Sequence, residues 1–432
     1  MRLQRALTSA PLDEESSMHH VPRPALTAAV ALASALALTA CGGSGEESAD
    51  AGAQQTLTVW AMGTEGEKLA DVAKTYQQAH PNVTVQVTPV GWDVAHQKLV
   101  AAAAAGKLPD VMQMGSSYLG EFADMGALEP VDTGAFKQGD FFPAAWNQGT
   151  YEGKSYGVPW YVDTRVLFYR TDLAKKAGLK GAPATMTDLR KAAEAYQAKA
   201  GAKWGLSIQP SGLDAVQSFY PFLYSAGGAI LDDGGKPVVN GPDAVKALED
   251  YGAYYAEGLS DKTFRPGYDV TKDFNTGAVP MFFGGPWMVG LLNDNYPDLK
   301  GKWAVAPVPA DKTSVSMAGG SSLTISADSS HKAAAKDFIA YLTDAKGQAD
   351  WYERTKDLPA NVKAWEAGTL ATDPNLTVFR TQMENARALP AQPKLTEITS
   401  KVDEAIGSVT QGTSSAKEAL DKAQSAIAGL VG

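Results

Sequence analysis

From Thr56 onward, short apolar strands alternate with amphipathic helices, and this order restricts the fold more than any other feature. Val83, Val85 and Val87 alternate with polar residues, as in a strand that is buried on one face. The expected elements of this first series are strands at 57–60, 83–87 and 111–114, and helices over 66–80, 94–105 and 117–125. A repeated strand-helix order predicts a largely parallel sheet with helices on both faces.

A second series begins at residue 166 and ends in a helical tail. Thr185 and Asp188 form a capping box, which marks the start of a helix. The expected strands are 166–169, 204–208, 280–283, 303–306 and 322–326, and the expected helices are 189–199, 215–226, 242–257, 286–293, 330–343, 346–354, 376–388 and 397–430. Two α/β layers and a helical tail exceed one hydrophobic core.

Charge and metal-ligand counts exclude several classes of function. The 432 residues include 38 Lys and Arg against 48 Asp and Glu, a formal net charge of −10. A nucleic-acid binder needs a basic face to neutralise phosphates, so we expect no nucleic-acid partner. One cysteine excludes an intramolecular disulfide, and five histidines argue against a multi-histidine site. We therefore expect no metal and no cofactor.

The lone Cys41 follows an uncharged apolar run over 25–40. This run is too short to span a membrane and has the proportions of a signal peptide. Leu-Thr-Ala at 38–40 resembles the lipobox read by bacterial lipoprotein signal peptidase. On that resemblance residues 1–40 are removed and Cys41 becomes lipidated, at the start of a flexible tether over 41–56.

Alternatives remain for this N-terminal region. An ordinary cleaved signal with an incidental cysteine would also fit, whereas a buried structural cysteine is disfavoured because the tether has nothing to pack. Asp13, Glu14 and Glu15 are unusual in a positively charged signal start. Translation from Met18 is therefore an alternative to translation from Met1.

Segments 108–128, 156–173 and 274–289 carry a family resemblance. They resemble the extracellular solute-binding proteins of bacterial ABC importers, and more narrowly the carbohydrate-binding family that includes maltose-binding protein. The resemblance runs from about Leu57 to the C-terminus, in the family's order and spacing. It implies an α/β, two-lobed periplasmic-binding-protein-like fold, in which each lobe is a mixed, mostly parallel sheet flanked by helices.

The resemblance also implies where the two lobes divide. Three crossings are expected, near 162–165, 320–326 and 373–374. The N-terminal lobe would then combine 57–163 with 325–372, and the C-terminal lobe 164–324 with 373–432. The ligand would be held in the cleft between them.

A sugar needs aromatic plates for its C–H faces and carboxylates or amides for its hydroxyls. Trp287, in the run Gly-Gly-Pro-Trp at 284–287, matches the family's stacking tryptophan, and Asp163 matches its cleft carboxylate. Neighbouring Trp160 and Tyr161 are further candidate plates. The competing interpretations are a core tryptophan for Trp287, a salt bridge with Arg165 for Asp163, and the end of a strand for 159–161.

The first lobe is expected to contribute two loops. Gly63, Thr64 and Glu65 follow the first strand, where exposed N–H groups and a carboxylate face a cleft, although Glu65 could instead act as a helix N-terminal charge. The second loop aligns with the family's binding loop. The further candidate residues are Ser116, Ser117, Tyr118, Trp92, Asp93, Gln217, Gly319 and Gly320, where a surface loop is the alternative for Trp92, Asp93 and Gln217 and a hinge for the glycine pair.

The sequence departs from maltose-binding protein at two places. Ser117 and Tyr118 stand where that protein has a charged pair, and Thr399 stands near its late stacking aromatic. Threonine cannot stack, so maltodextrin specificity is not carried over.

The resemblance implies a monomeric substrate-binding lipoprotein on the outer face of the cell membrane. It would capture a sugar, a di- or oligosaccharide, by hinge closure and deliver it to a permease that is driven by a separate ATPase. No phosphate-binding Gly-x-x-x-x-Gly-Lys-Ser/Thr loop is present. The alternatives are a lipid-anchored glycoside hydrolase using Glu65 and Asp163, or a receptor for a peptide or polyamine. We expect no enzymatic activity.

Overall fold

A computed structural model describes residues 54–212 and 215–431. The predicted signal peptide, the lipobox, Cys41 and nearly all of the tether lie outside the described residues. None of the helices in the described ranges is both long and apolar enough to cross a membrane.

Strands and helices alternate as expected at first, and helices dominate the last quarter of the chain. The strands are β1 (Gln55–Met62), β2 (Val83–Val90), β3 (Val111–Gly115), β4 (Thr150–Tyr151), β5 (Lys154–Ser155), β6 (Val158–Thr164), β7 (Val166–Arg170), β8 (Met281–Gly284), β9 (Trp303–Ala306), β10 (Ser316–Ile325), β11 (Leu358–Pro359) and β12 (Ala386–Arg387). The first helices are α1 (Gly63–Ala79), α2 (Trp92–Ala104), α3 (Leu119–Asp124), α4 (Pro143–Gln148), α5 (Thr171–Ala177), α6 (Met186–Ala195), α7 (Ala215–Ser225) and α8 (Pro242–Ala256). The later helices are α9 (Val270–Thr276), α10 (Trp287–Asn295), α11 (Lys332–Thr343), α12 (Ala345–Thr355), α13 (Gly368–Thr372), α14 (Pro374–Glu384), α15 (Leu395–Thr410) and α16 (Ala416–Val431).

The larger sheet has the strand order β11-β6-β10-β3-β1-β2, with β12 paired to β10. Its β2-β1-β3 part is parallel, as the first strand-helix series predicts. Strand β10 then pairs antiparallel with both β3 and β6. The sheet is therefore mixed, and the carboxyl ends of β1 and β3 open on the same edge.

The smaller sheet has the order β8-β7-β9, and its three strands pair antiparallel. This differs from the mostly parallel pairing expected there. The predicted strand over 204–208 contributes only a single parallel bridge, between Ser207 and Phe282. The parallel strand expected beside β8 is therefore replaced by one bridging residue, Ser207.

A single residue, Arg165, separates β6 in the larger sheet from β7 in the smaller one. Its backbone is fixed to β10, because its N–H donates to Ser316 Oγ at 3.2 Å and its carbonyl accepts from that hydroxyl at 2.8 Å. Thr164 Oγ also donates to the Met317 carbonyl at 2.6 Å. The chain therefore passes between the sheets at a fixed point.

Two further expectations need correction. Helix α1 begins at Gly63 instead of residue 66, because Gly63 adopts φ of +51° and turns the chain directly from strand into helix. The helix expected over 397–430 is two helices, α15 and α16. Gly412 lies between them with φ of +73°, a conformation that ends a helix.

Candidate functional site

Asp163, Arg165, Gln217 and Trp287 come together where the two sheets join. Arg165 Nη1 donates to both carboxylate oxygens of Asp163, at 2.6 and 2.5 Å, and Nη2 lies 3.5 Å from Gln217 Oε1. The guanidinium carbon lies 4.9 Å from the Trp287 ring centroid, within cation–π range. Residues from β6, α7 and α10 thus form one polar and aromatic cluster.

Trp287 is held at the surface by the turn that precedes it. An added Cβ at Gly285 would lie 2.1 Å from Trp287 Cζ3, so only glycine lets the ring lie against this backbone. The side chain is 43% exposed. An exposed tryptophan next to a charged pair can offer a ring face and hydrogen-bond partners to the same ligand.

Asp163 is largely buried, and this burial raises the pKa of its carboxyl, with the Arg165 charge opposing the shift. The ion pair is strongly desolvated, since the side chains of Arg165 and Asp163 are only 14% and 20% exposed. Removing one partner would leave a poorly solvated charge. The salt bridge with Arg165, the alternative interpretation of Asp163, is therefore present in the structure.

A second polar cluster lies at the end of β1 and the start of α1. The Tyr161 hydroxyl donates to Glu65 Oε1 at 2.7 Å. It accepts from Ser321 Oγ at 3.0 Å and from Gln113 Nε2 at 3.1 Å. Burial raises the pKa of Tyr161 well above its ordinary value, so the phenol stays neutral and donates to the carboxylate. Glu65 is thereby positioned from three strands.

Asp357 belongs to the same region and was missed by the sequence analysis. Burial, followed by the negative charge of Glu65, raises its pKa to about 7, and Asp163 adds to the effect. Trp351 Nε1 donates to its carboxylate at 3.1 Å. A lone aspartate between α12 and β11 has no local signature, so only the tertiary fold reveals its proximity.

The polar loop after β3 lines a cavity of about 190 Å³. Ser116, Ser117, Gln217 and Thr399 all face this cavity, although Thr399 had been noted only as unable to stack. Three lining residues that sequence reasoning missed are Tyr220, Tyr224 and Arg387. The two tyrosine rings, four residues apart on α7, stack with their centroids 5.2 Å apart.

Trp92 packs at the start of α1. Its Cδ1 lies so close to Gly63 that an added Cβ there would meet it at 2.7 Å, and the side chain is 42% exposed. Asp93 and Thr64 are exposed. Among the hydrogen bonds and ion pairs of the described residues, none joins Asp93 or Thr64 to Asp163 or Trp287.

The glycine pair on β10 allows close backbone packing. Gly320 has φ of +126°, and an added Cβ would lie 2.2 Å from the Tyr161 carbonyl oxygen. Its own carbonyl accepts from Ser116 N–H, and the Gly319 carbonyl accepts from Gln148 Nε2. Both carbonyls therefore have partners within the protein.

Trp160 is not a ligand plate. Its side chain is fully buried and its ring lies 4.6 Å from that of Trp351. Period-two alternation along β6 directs Trp160 into the core and its neighbour Tyr161 to the other face. Tyr118 is half-buried, and its ring centroid lies 5.3 Å from that of His96. Burial raises the pKa of Tyr118 to about 12.

Metal binding has no obvious location in this part of the chain. Within residues 54–212 and 215–431, no three His, Cys, Asp or Glu side chains are grouped so that they could hold an ion.

Comparison with known proteins assigns the family. The model of the bacterial extracellular solute-binding protein family matches residues 61–349, more than half of the chain. The protein belongs to this family.

Individual relatives agree in fold and in class. The solved structure of the sugar-binding protein MalE from Xanthomonas citri is 30% identical and has a TM-score of 0.82, covering 87% of this chain and 97% of its own. The maltodextrin-binding protein of Bacillus subtilis is 26% identical over 91% of this chain and 94% of its own length. The diacetylchitobiose-binding protein of Streptomyces coelicolor is 27% identical, covering 73% and 76%. The two-lobed fold is confirmed, and the protein is a solute-binding protein rather than an enzyme.

The raised pKa of Asp357 predicts a pH-dependent stability. The folded state holds this proton more tightly than the unfolded chain, whose pKa is near 3.8, so wild-type stability falls as pH rises from about 4 to about 7. Asp357→Asn keeps an acceptor for Trp351 but cannot ionise. We expect the variant to melt several degrees higher than wild type at pH 8, with the gap closing near pH 4.

Differential scanning calorimetry at both pH values measures this gap. Exposed Asp328 provides a matched control, since Asp328→Asn should shift the melting temperature by no more than about one degree at either pH. A constant difference between Asp357→Asn and wild type across the pH range would contradict the assignment.

Proposed function

We propose that the protein captures a di- or oligosaccharide in a cleft between two lobes built on the two sheets. The observation that carries this proposal is exposed Trp287 beside the Asp163–Arg165 pair, at the single residue joining β6 to β7. Stacking and charge-assisted hydrogen bonds are the two interactions that sugar recognition needs. The names of the relatives, which include maltodextrin- and diacetylchitobiose-binding proteins, support a carbohydrate ligand.

Ligand contacts would come from both sides of the junction. We assign Trp287 and Gln217 to the second lobe and Glu65, Tyr161, Ser116 and Ser117 to the first, with Asp163 between them. Gly63, Thr64, Trp92, Asp93, Tyr118, Gly319 and Gly320 stay secondary candidates. We also place the second crossing before Ser316, N-terminal to the expected 320–326, because β10 pairs along the larger sheet.

Closure around the sugar is the proposed mechanism. Only a closed form makes both sets of contacts, so the ligand shifts the population toward it. Raising a closed form from roughly 1% to 99% needs roughly 10⁴-fold preferential binding, or about 5.5 kcal/mol. A few charge-assisted hydrogen bonds and a stacked ring supply energies of this order.

Lipid anchoring and delivery complete the proposal. Cys41, after its lipobox-like tripeptide, would tether the mature protein to the outer face of the cell membrane. The closed complex would then dock as a monomer on a permease whose ATPase is a separate chain. The family assignment supports an extracytoplasmic location and a transporter partner.

The stacking role predicts a loss of affinity in Trp287→Ala. We expect the dissociation constant to rise roughly tenfold or more, which corresponds to about 1.4 kcal/mol, because the ring face is removed. The ring is partly exposed, so the empty variant should melt within about two degrees of wild type. A thermal-shift screen of mono-, di- and oligosaccharides first selects the sugar, and calorimetry then measures its affinity.

Leu291→Ala is the matched control, since Leu291 lies one turn further along α10 and is 41% exposed. It should bind the selected sugar with unchanged affinity. Equal affinities of wild type and Trp287→Ala would refute stacking on Trp287.

The lipobox resemblance predicts that Cys41→Ala releases the protein from membranes. Without the thiol no lipid can be attached, so the variant should move to the soluble or secreted fraction. Fractionation and immunoblotting of cells that express the full chain detect this, with Ser44→Ala as the control that stays membrane-bound. Persistent membrane retention of Cys41→Ala would count against lipidation.

A further inference from the structure

We propose that Arg165 sets the sugar affinity of the site, because its guanidinium covers one face of Trp287 in the empty protein and is displaced by a sugar that stacks there. This inference rests on the proposed function of sugar capture. Arg165 entered the sequence analysis only as a salt-bridge partner of Asp163. Its position over an exposed aromatic ring gives it a second role.

The geometry places the guanidinium where a sugar ring would lie. The Arg165 guanidinium carbon stands 4.9 Å above the Trp287 ring centroid. The ring is backed at Gly285, where an added Cβ would come within 2.1 Å of Cζ3. The guanidinium lies over one face of this ring, and the residue as a whole is 43% exposed. A sugar that stacks on that face competes with the guanidinium.

The side chain can leave the ring without moving the backbone. Two hydrogen bonds with Ser316 fix the Arg165 N–H and carbonyl to β10. The contact with Gln217 Oε1 is long, at 3.5 Å, whereas both Nη1 contacts with Asp163 are short. Rotation of the guanidinium off Trp287 can thus preserve the ion pair.

This competition weakens the binding of ligands that stack on Trp287. A cation–π contact in a partly desolvated site is strong enough to lower the apparent affinity of a competing ligand by roughly twofold to tenfold. A ring with a broad C–H face regains this loss by contacting Trp287. A ligand without such a face does not displace the guanidinium, so Arg165 leaves its affinity unchanged.

Arg165→Lys separates competition from direct binding. Lysine keeps a positive charge, so the buried Asp163 carboxylate stays paired. It lacks the planar guanidinium that lies over Trp287. Four probes are titrated by calorimetry: maltotriose, diacetylchitobiose, galactobiose and arabinotriose. For each probe that binds wild type, we expect Arg165→Lys to lower the dissociation constant by at least about twofold. In the Trp287→Ala background the same substitution should have no effect.

An unchanged or raised dissociation constant in Arg165→Lys would overturn the proposal, as would an equal gain in the Trp287→Ala background. A raised value would mean that the guanidinium binds the sugar itself.

A second measurement, made without any ligand, accompanies these titrations. Acrylamide quenching of the Trp287 contribution, taken as the difference from Trp287→Ala, should increase in Arg165→Lys because the ring face is uncovered.

The two readouts separate failure of this inference from failure of the proposed function. If none of the four probes binds wild type, sugar capture of these classes is refuted, and quenching still decides whether Arg165 covers Trp287. Unchanged quenching in Arg165→Lys overturns the inference whatever the sugars do.

Discussion

The buried ion pair between Asp163 and Arg165 is the interaction on which the rest of the site depends. It lies at the one residue that carries the chain from the larger sheet to the smaller, and its charges are mostly removed from water. Such a pair is stable only when both partners stay in place. The junction is therefore fixed at its backbone and charged in its side chains, which suits a hinge that also contacts ligand.

Two groups of residues extend from this junction. Toward the larger sheet, the neutral phenol of Tyr161 positions the Glu65 carboxylate, and Asp357 adds a further carboxyl whose pKa is raised to about 7. Toward the smaller sheet, the glycine turn holds Trp287 at the surface. The groups proposed to bind sugar hydroxyls and to stack on a sugar ring thus belong to the two different sheets that Arg165 joins. This division explains why closure, rather than a preformed pocket, would complete the site.

Much of this architecture could be predicted from the sequence, because the strands and helices of the first series are encoded by local periodicity. The strand predicted over 204–208 was wrong, since its pairing with β8 reduces to one bridge that depends on tertiary packing. Trp287 was predictable from its glycine-rich turn and its motif. Asp357 and Arg387 were not, because chain segments distant in sequence bring Asp357 near Glu65 and Arg387 to the wall of the cavity after β3. Trp160 and Tyr161 had equal sequence support, and only strand alternation in the folded sheet separates them.

The central claim is that a sugar binds across the β6–β7 junction, and a crystal structure with bound oligosaccharide tests it most directly. The ligand used would be the one that gives the largest thermal shift with the wild-type protein. The account predicts a sugar ring on Trp287 and hydroxyls bonded to Glu65 or Asp163, with the two sheets closer together than in the empty protein. A sugar held by one sheet alone, or without contact to Trp287, would contradict it.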